Sequence, residues 1–188
     1  MNELSLHILD IAQNSLKAGA ALIEIRVEED VPRDTLTVTV RDDGHGMDPG
    51  FLARAADPFT TTRATRKVGL GLPLFRFSAE STGGSFKLES APGEGTVVTA
   101  VFGLSHIDRV PLGDMASTMV SLILASPGTD FLYERALIST DGEDRYTLDT
   151  REVREVMEGI SLSSPEVIEW LREYLSENEA SLEGKTKA

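Results

Sequence analysis

Apolar positions in the first hundred residues follow two periods. From Ala21 to Glu28, Ile23, Ile25 and Val27 alternate with Glu24, Arg26 and Glu28; from Thr35 to Val40, Leu36, Val38 and Val40 alternate with threonines. A period of two belongs to strands with one buried and one wet face. Val31-Pro32-Arg33-Asp34 between them reads as a turn, so the pair is expected to form an antiparallel hairpin. Ser85 to Ser90 and Thr96 to Leu104 form a second hairpin around Ala91-Pro92-Gly93-Glu94-Gly95. Leu4 to Ala18, ended by Gly19, has apolar residues on more than one face and reads as a well-buried helix. A short helix over Phe51 to Ala56 follows Asp48-Pro49, with aspartate as cap and proline in the first turn. A third helix follows Val68-Gly69-Leu70-Gly71-Leu72, runs through about Ser81 and is closed by Gly83-Gly84. This order predicts an α+β fold, a two-layer α/β sandwich with a largely antiparallel sheet.

After Leu104 the pattern changes. Asp108 to Leu112 is linker-like and Met115 to Leu124 reads as an apolar helix. Phe131 to Ile138 and Tyr146 to Leu148 read as a hairpin around Asp141-Gly142. Thr150 to Met157 and Pro165 to Leu175 read as acidic amphipathic helices, with a frayed end expected after Ser176. The expected organisation is therefore one domain over residues 1–104 and a small α/β extension over 105–188.

Charge and composition narrow the chemistry. The net charge is −13 over 188 residues, and residues 105–188 alone carry 8 basic and 17 acidic side chains. Such a chain repels phosphate backbones, so nucleic acid is not the expected partner. The chain has no cysteine and three histidines, which removes disulfides, thiolate catalysis and a multi-histidine metal site. No apolar run reaches the roughly 18 residues of a membrane span, and the first residues lack the pattern of a signal peptide, so a cytoplasmic location without a membrane is expected.

Three stretches carry candidate chemistry. His7, Asp10, Asn14 and Lys17 fall on one side of the first helix, a stripe that either faces water or lines a site. Asp42-Asp43-Gly44-His45-Gly46-Met47 follows a strand, where an aspartate can accept from an amine-bearing ligand and glycines let it approach the main chain. The third stretch, Asp57 to Lys67, is polar and hydroxyl-rich, with Arg63, Arg66 and Lys67 just before Gly69 and Gly71. Glycines before a helix leave amides and a positive dipole end for an anion, and phosphate is the natural guest.

Taken together, these pieces resemble the GHKL superfamily, the ATP-binding (Bergerat) fold shared by histidine kinases, gyrase, a heat-shock chaperone and MutL repair proteins. The resemblance covers about residues 3–104. Asp10 to Ala20 is similar to the asparagine box and Asp42 to Met47 to the first glycine box. Asp57-Pro58-Phe59 with Thr61-Thr62 resembles the phenylalanine box and lid entry of histidine kinases, and Gly69-Leu70-Gly71-Leu72 the second glycine box.

On this resemblance, Asp42 accepts the adenine amino group, Gly44 and Gly46 allow close approach, and Met47 packs beside the base. Thr96 adds a hydroxyl near the adenine. Asn14 holds magnesium through its amide oxygen, and Lys17 reaches a phosphate. Thr61, Thr62, Lys67 and the amides of Gly69, Leu70, Gly71 and Leu72 hold the triphosphate tail. Asp10 stands where hydrolytic members carry glutamate; it is either a solvated or capping acid or a catalytic, water-ordering one. Lys67-Val68 replaces the family's small Gly-Thr pair.

The sequence starts at the asparagine box, without the helical hairpin of a standard histidine kinase, and His7 and His45 are read as site-lining or exposed rather than phospho-accepting. Two readings follow: a stand-alone ATP-binding module of the histidine kinase or anti-sigma kinase type that phosphorylates or regulates a partner protein, or a nucleotide-gated switch with little turnover. The candidate partners are ATP or ADP with magnesium, a phospho-acceptor or regulated protein, and a second copy of the chain.

Overall fold

A computed structural model describes residues 3–55 and 71–186. In chain order these form α1 (Leu4–Lys17), β1 (Leu22–Asp30), β2 (Thr35–Asp42), α2 (Pro49–Ala55), α3 (Gly71–Glu80), β3 (Ser85–Ala91), β4 (Gly95–Gly103), α4 (Met115–Ala125), β5 (Asp130–Ser139), β6 (Gly142–Asp149), α5 (Thr150–Val156) and α6 (Pro165–Thr186). The six strands make one mixed sheet in the order β3-β4-β2-β1-β5-β6. Every pairing is antiparallel except β1 with β5. A parallel neighbour needs a crossover rather than a tight turn, and the segment carrying α4 provides it.

Strand alternation sets the two faces. Ile23, Ile25 and Val27 of β1, Leu36, Val38 and Val40 of β2, and Val98, Ala100 and Phe102 of β4 are buried together with Phe131, Tyr133 and Leu137 of β5. Helices cover this face, with α1 touching both α3 and α4, and α4 touching α6. The opposite face is laced with ion pairs: Arg26 with Glu28 (2.7 Å) and Glu134 (3.2 Å), and Arg145 with Glu134 (3.6 Å). Exposed pairs of this kind add little stability singly but keep the face wet.

Two polar intrusions break the apolar inner face. At one end, Asp42, Thr96 and Ser90 stand in neighbouring registers on β2, β4 and β3. Towards the other, Arg135 is 2% exposed beneath α6. It bonds Glu29 on β1 and approaches Glu179 of α6 at 3.5 Å. Glu179 also accepts from the hydroxyls of Tyr133 (2.6 Å) and Tyr146. Burial, followed by the field of Glu179, holds both phenols above their usual range, so they stay protonated as donors.

This cluster accounts for a correction. The chain does not fray after Ser176: α6 runs on to Thr186, and Leu182 is only 5% exposed. Glu179 meets its three partners on β5 and β6 across more than 30 residues of sequence. That distance is why helical periodicity alone did not predict the extension.

The C-terminal segment also secures α1. Glu3 provides no side-chain cap, and the amides of Leu4 and Ser5 donate to the carbonyls of Pro111 (2.9 Å) and Leu112 (2.7 Å). Two of the unpaired amides at the start of α1 are thereby satisfied by residues a hundred positions away.

Glu179→Ala leaves Arg135 with Glu29 but strands the Tyr133 and Tyr146 hydroxyls, and is expected to destabilise the fold by about 1–3 kcal/mol for each buried donor left without an acceptor. Urea denaturation of the variant against wild type measures the loss, and an unchanged midpoint would mean that α6 is held by its apolar face alone.

Candidate functional site

The polar row of β2, β4 and β3 opens into a cleft of about 740 Å³. Its apolar walls include Ile11, Met47, Leu72 and Val98; Asn14, Lys17, Asp42, His45, Asp48 and Thr96 supply polar groups. Asp42 is 7% exposed and lies at the base of this space. Its Oδ1 accepts from the amides of Gly44 (3.0 Å) and Thr96 (3.2 Å), and its Oδ2 accepts from the Ser15 hydroxyl (2.5 Å). Two donors fill Oδ1. Oδ2 keeps room for one further donor.

The loop after Asp42 is tied to elements on both sides. His45 donates its amide to the Ala18 carbonyl (3.0 Å), and Gly93 donates to the His45 carbonyl (2.8 Å). Met47 donates to the Ser90 hydroxyl (2.9 Å), which lies 3.0 Å from the Thr96 hydroxyl. Gly46 has φ +68°, and a Cβ there would lie 1.9 Å from the Ala91 carbonyl oxygen. Gly44 faces Ala18, where a Cβ would come within 2.9 Å. Both glycines are thus required by the close approach of other backbone to the loop. Asp43 turns away and accepts from the amides of Ala21 and Leu22, holding the start of β1. Asp48 caps α2 through Gly50 (2.9 Å) and Phe51 (3.0 Å), as its sequence position predicts.

Along α1 the polar stripe divides. Asn14 and Lys17 line the cleft, and among the described residues neither side chain has a hydrogen-bond partner. Asp10 lies at the junction with α3, where a Cβ on Gly71 would fall 1.7 Å from its Oδ2. Only a glycine lets the carboxylate sit against the first turn of α3. His7 faces neither water nor the cleft: it is 3% exposed, and its ring lies 5.5 Å from that of Phe75.

Of the residues singled out in the sequence, Asn14, Lys17, Asp42, Gly46, Met47, Leu72 and Thr96 come together around one cleft. Gly44 stands behind the loop, and Asp10 and Gly71 touch each other beside it. Thr61, Thr62, Lys67, Gly69 and Leu70 lie outside the described residues. Sequence reasoning missed Ser15, whose bond to Asp42 spans 27 positions. Its only signal was its place next to Asn14 and one turn after Ile11 on the helix.

Oxygen donors at the cleft suit magnesium. The ion prefers octahedral oxygen ligation and keeps waters and phosphate oxygens alongside one or two protein groups. Asn14 presents an amide oxygen of that kind, with the Asp10 carboxylate one helical turn away. No cluster of three or more histidine or acidic side chains suited to a metal occurs among the described residues.

Residues 2–106 match the family described as histidine kinase-, DNA gyrase B-, and HSP90-like ATPase. The sensor protein kinase FleS of Pseudomonas aeruginosa is 36% identical over 105 residues, covering 56% of this chain and 25% of that protein. The sensor histidine kinase ZraS of Salmonella typhimurium is 33% identical over 93 residues, covering 49% of this chain and 20% of its own length. The chain therefore spans a quarter or less of these relatives. A crystal structure of the N-terminal domain of a DNA repair protein superposes with a TM-score of 0.53 at 16% identity, over 79% of this chain and 53% of that one. This likeness is one of fold, and its coverage exceeds the segment matched by the family.

Burial of His7 depresses its imidazole below the ordinary 6.5, against a smaller opposing pull from Asp10. The unfolded chain therefore takes up this proton more readily, so the contribution is intact above pH 6.5 and is lost as pH falls below it. Urea denaturation at pH 7.5 and pH 5.5 is expected to show a larger loss for wild type than for His7→Leu. Equal losses would rule out His7 as a source of acid sensitivity.

Proposed function

This chain belongs to the histidine kinase-, DNA gyrase B-, and HSP90-like ATPase family, and on that premise we propose that its cleft binds ATP with magnesium and that it transfers phosphate to, or regulates, a partner protein. The family segment is an ATP-binding, histidine-kinase-like module. The observation that carries the site assignment is the Asp42 carboxylate at the base of an apolar-walled cleft, with Oδ1 filled and Oδ2 able to accept one more hydrogen bond. The exocyclic amine of adenine is a donor of the required kind. Thr96, backed by the Ser90 hydroxyl at 3.0 Å, extends the polar edge, and Ile11, Met47, Leu72 and Val98 provide apolar contact for a flat base.

From this end, α1 carries the polar groups outward. Asn14 would hold magnesium and Lys17 would meet a phosphate. Magnesium neutralises phosphate charge when bound. Asp10, one turn before Asn14 and against the start of α3, is positioned to orient an incoming hydroxyl or water beyond the terminal phosphate. The same placement supports Gly71 and Leu72 as part of the phosphate cradle, completed by Thr61, Thr62, Lys67, Gly69 and Leu70. We divide the chain near residue 104, taking residues 105–188 as an appended unit that braces α1 and extends the sheet. No helix among the described residues is long and apolar enough to cross a membrane.

Asp42→Asn puts an amide donor towards the adenine amine and is expected to weaken Mg-ATP binding by ~1–3 kcal/mol, the range for losing a charged hydrogen-bond partner. Calorimetry giving equal affinities would remove the adenine assignment.

Asp10→Asn is expected to keep nucleotide affinity and abolish phosphate turnover, since positioned acid–base groups contribute roughly 10²–10⁴-fold. Release or transfer of labelled γ-phosphate, with and without co-purifying proteins, provides the readout. Turnover by the variant at the wild-type rate would exclude Asp10 as the base. ATP binding without turnover by either protein under both conditions would favour a nucleotide-gated switch.

A further inference from the structure

His45 is an exposed side chain on the wall of the same cleft. Its backbone is held on both sides, by the Ala18 carbonyl and by the Gly93 amide, so the ring projects from a braced turn rather than from a loose loop. Its Nδ1 lies 2.7 Å from the Gly46 carbonyl oxygen. A carbonyl can only accept, so Nδ1 must carry the proton in that contact. In the neutral ring Nε2 is then a hydrogen-bond acceptor whose orientation is set by the bond at Nδ1.

Building on the ATP reading above, we propose that His45 is a sugar-reading residue: its Nε2 accepts a hydrogen bond from a ribose hydroxyl of the bound nucleotide. Chemistry and depth both point to the sugar. The triphosphate presents acceptors, which a neutral Nε2 cannot satisfy. The adenine amine is a donor, but Asp42, 7% exposed, takes it at the base of the cleft, while His45 stands at the exposed wall. The ribose joins the buried base to the phosphates and carries hydroxyl donors. Lys17 and Asp48 share this cleft; Lys17 is a donor, and the Asp48 Oδ1 is taken by the amides of α2, so its Oδ2 is the competing acceptor, whose contribution a His45 variant would leave intact. Fixing Nε2 in advance lowers the ordering cost of the contact.

The test is a ligand-by-variant cycle on the full chain, measured by calorimetry with magnesium and three probes: ATP, 2′-deoxy-ATP and 3′-deoxy-ATP. Wild type is expected to bind one deoxy analogue about three- to tenfold more weakly than ATP, the net worth of a single hydrogen bond. His45→Ala should bind ATP more weakly by a similar factor and lose the discrimination. His45→Gln, which can place an amide oxygen near the Nε2 position, should recover part of it; a purely structural role for the ring would not produce this pattern. Because His45 is exposed, the variants should melt like wild type, which a thermal scan verifies. If neither analogue is penalised in wild type, or if the penalty survives in His45→Ala, the sugar-reading role is overturned. Failure of wild type to bind Mg-ATP at all would instead overturn the function on which it rests.

Discussion

The Asp42 carboxylate is the point on which the site depends. It joins α1 through the Ser15 hydroxyl, the glycine loop through the Gly44 amide and β4 through the Thr96 amide. A carboxylate removed from water is costly unless donors surround it. These three donors come from three elements and fix the group at the end of an otherwise apolar sheet face. The same arrangement leaves one acceptor position of Oδ2 unfilled beside the cleft.

The backbone around this group is correspondingly tight. Gly46 and Gly95 both have positive φ, and a Cβ on either would fall 1.9 Å from a carbonyl oxygen, of Ala91 and Asp42 respectively. The glycines therefore let the β3–β4 hairpin close against the loop. Gly71 does the same for Asp10 at the α1–α3 junction. At Gly46 and Gly95 the close neighbour is backbone, which cannot give way, whereas at Gly71 it is the end of the Asp10 side chain.

Residues 105–188 contribute support rather than a separate layer. Pairing of β5 with β1 continues the sheet past the family segment, α4 packs on α1, and Pro111 and Leu112 cap the start of α1. The helix bearing Asp10 and Asn14 is thus fixed from its N-terminus by this unit and towards its C-terminus by Ser15 and Ala18. Arg135, Glu29 and Glu179 form the corresponding polar centre at the far side. There the buried Arg135 guanidinium finds its partners within the fold.

Much of this could be read in the chain. The strand alternation of Ile23 to Val27 and Leu36 to Val40 reports local burial directly, because period two maps onto the two faces of a sheet. The Asp42 loop and the Asn14 helix were legible because their spacing is a property of a single element. Ser15 was not: its partner lies 27 residues away, and a serine beside an asparagine on a helix has no periodic signature. The burial of His7 against Phe75 and the extension of α6 past Ser176 were hidden for the same reason. The sequence by itself determined the elements, their faces and the family motifs, since these follow from nearest-neighbour geometry. Only the tertiary structure decided the parallel pairing of β5 with β1, the donors that complete Asp42 and the seat of Asp10 on Gly71, because each is a contact between segments whose separation along the chain leaves no local trace.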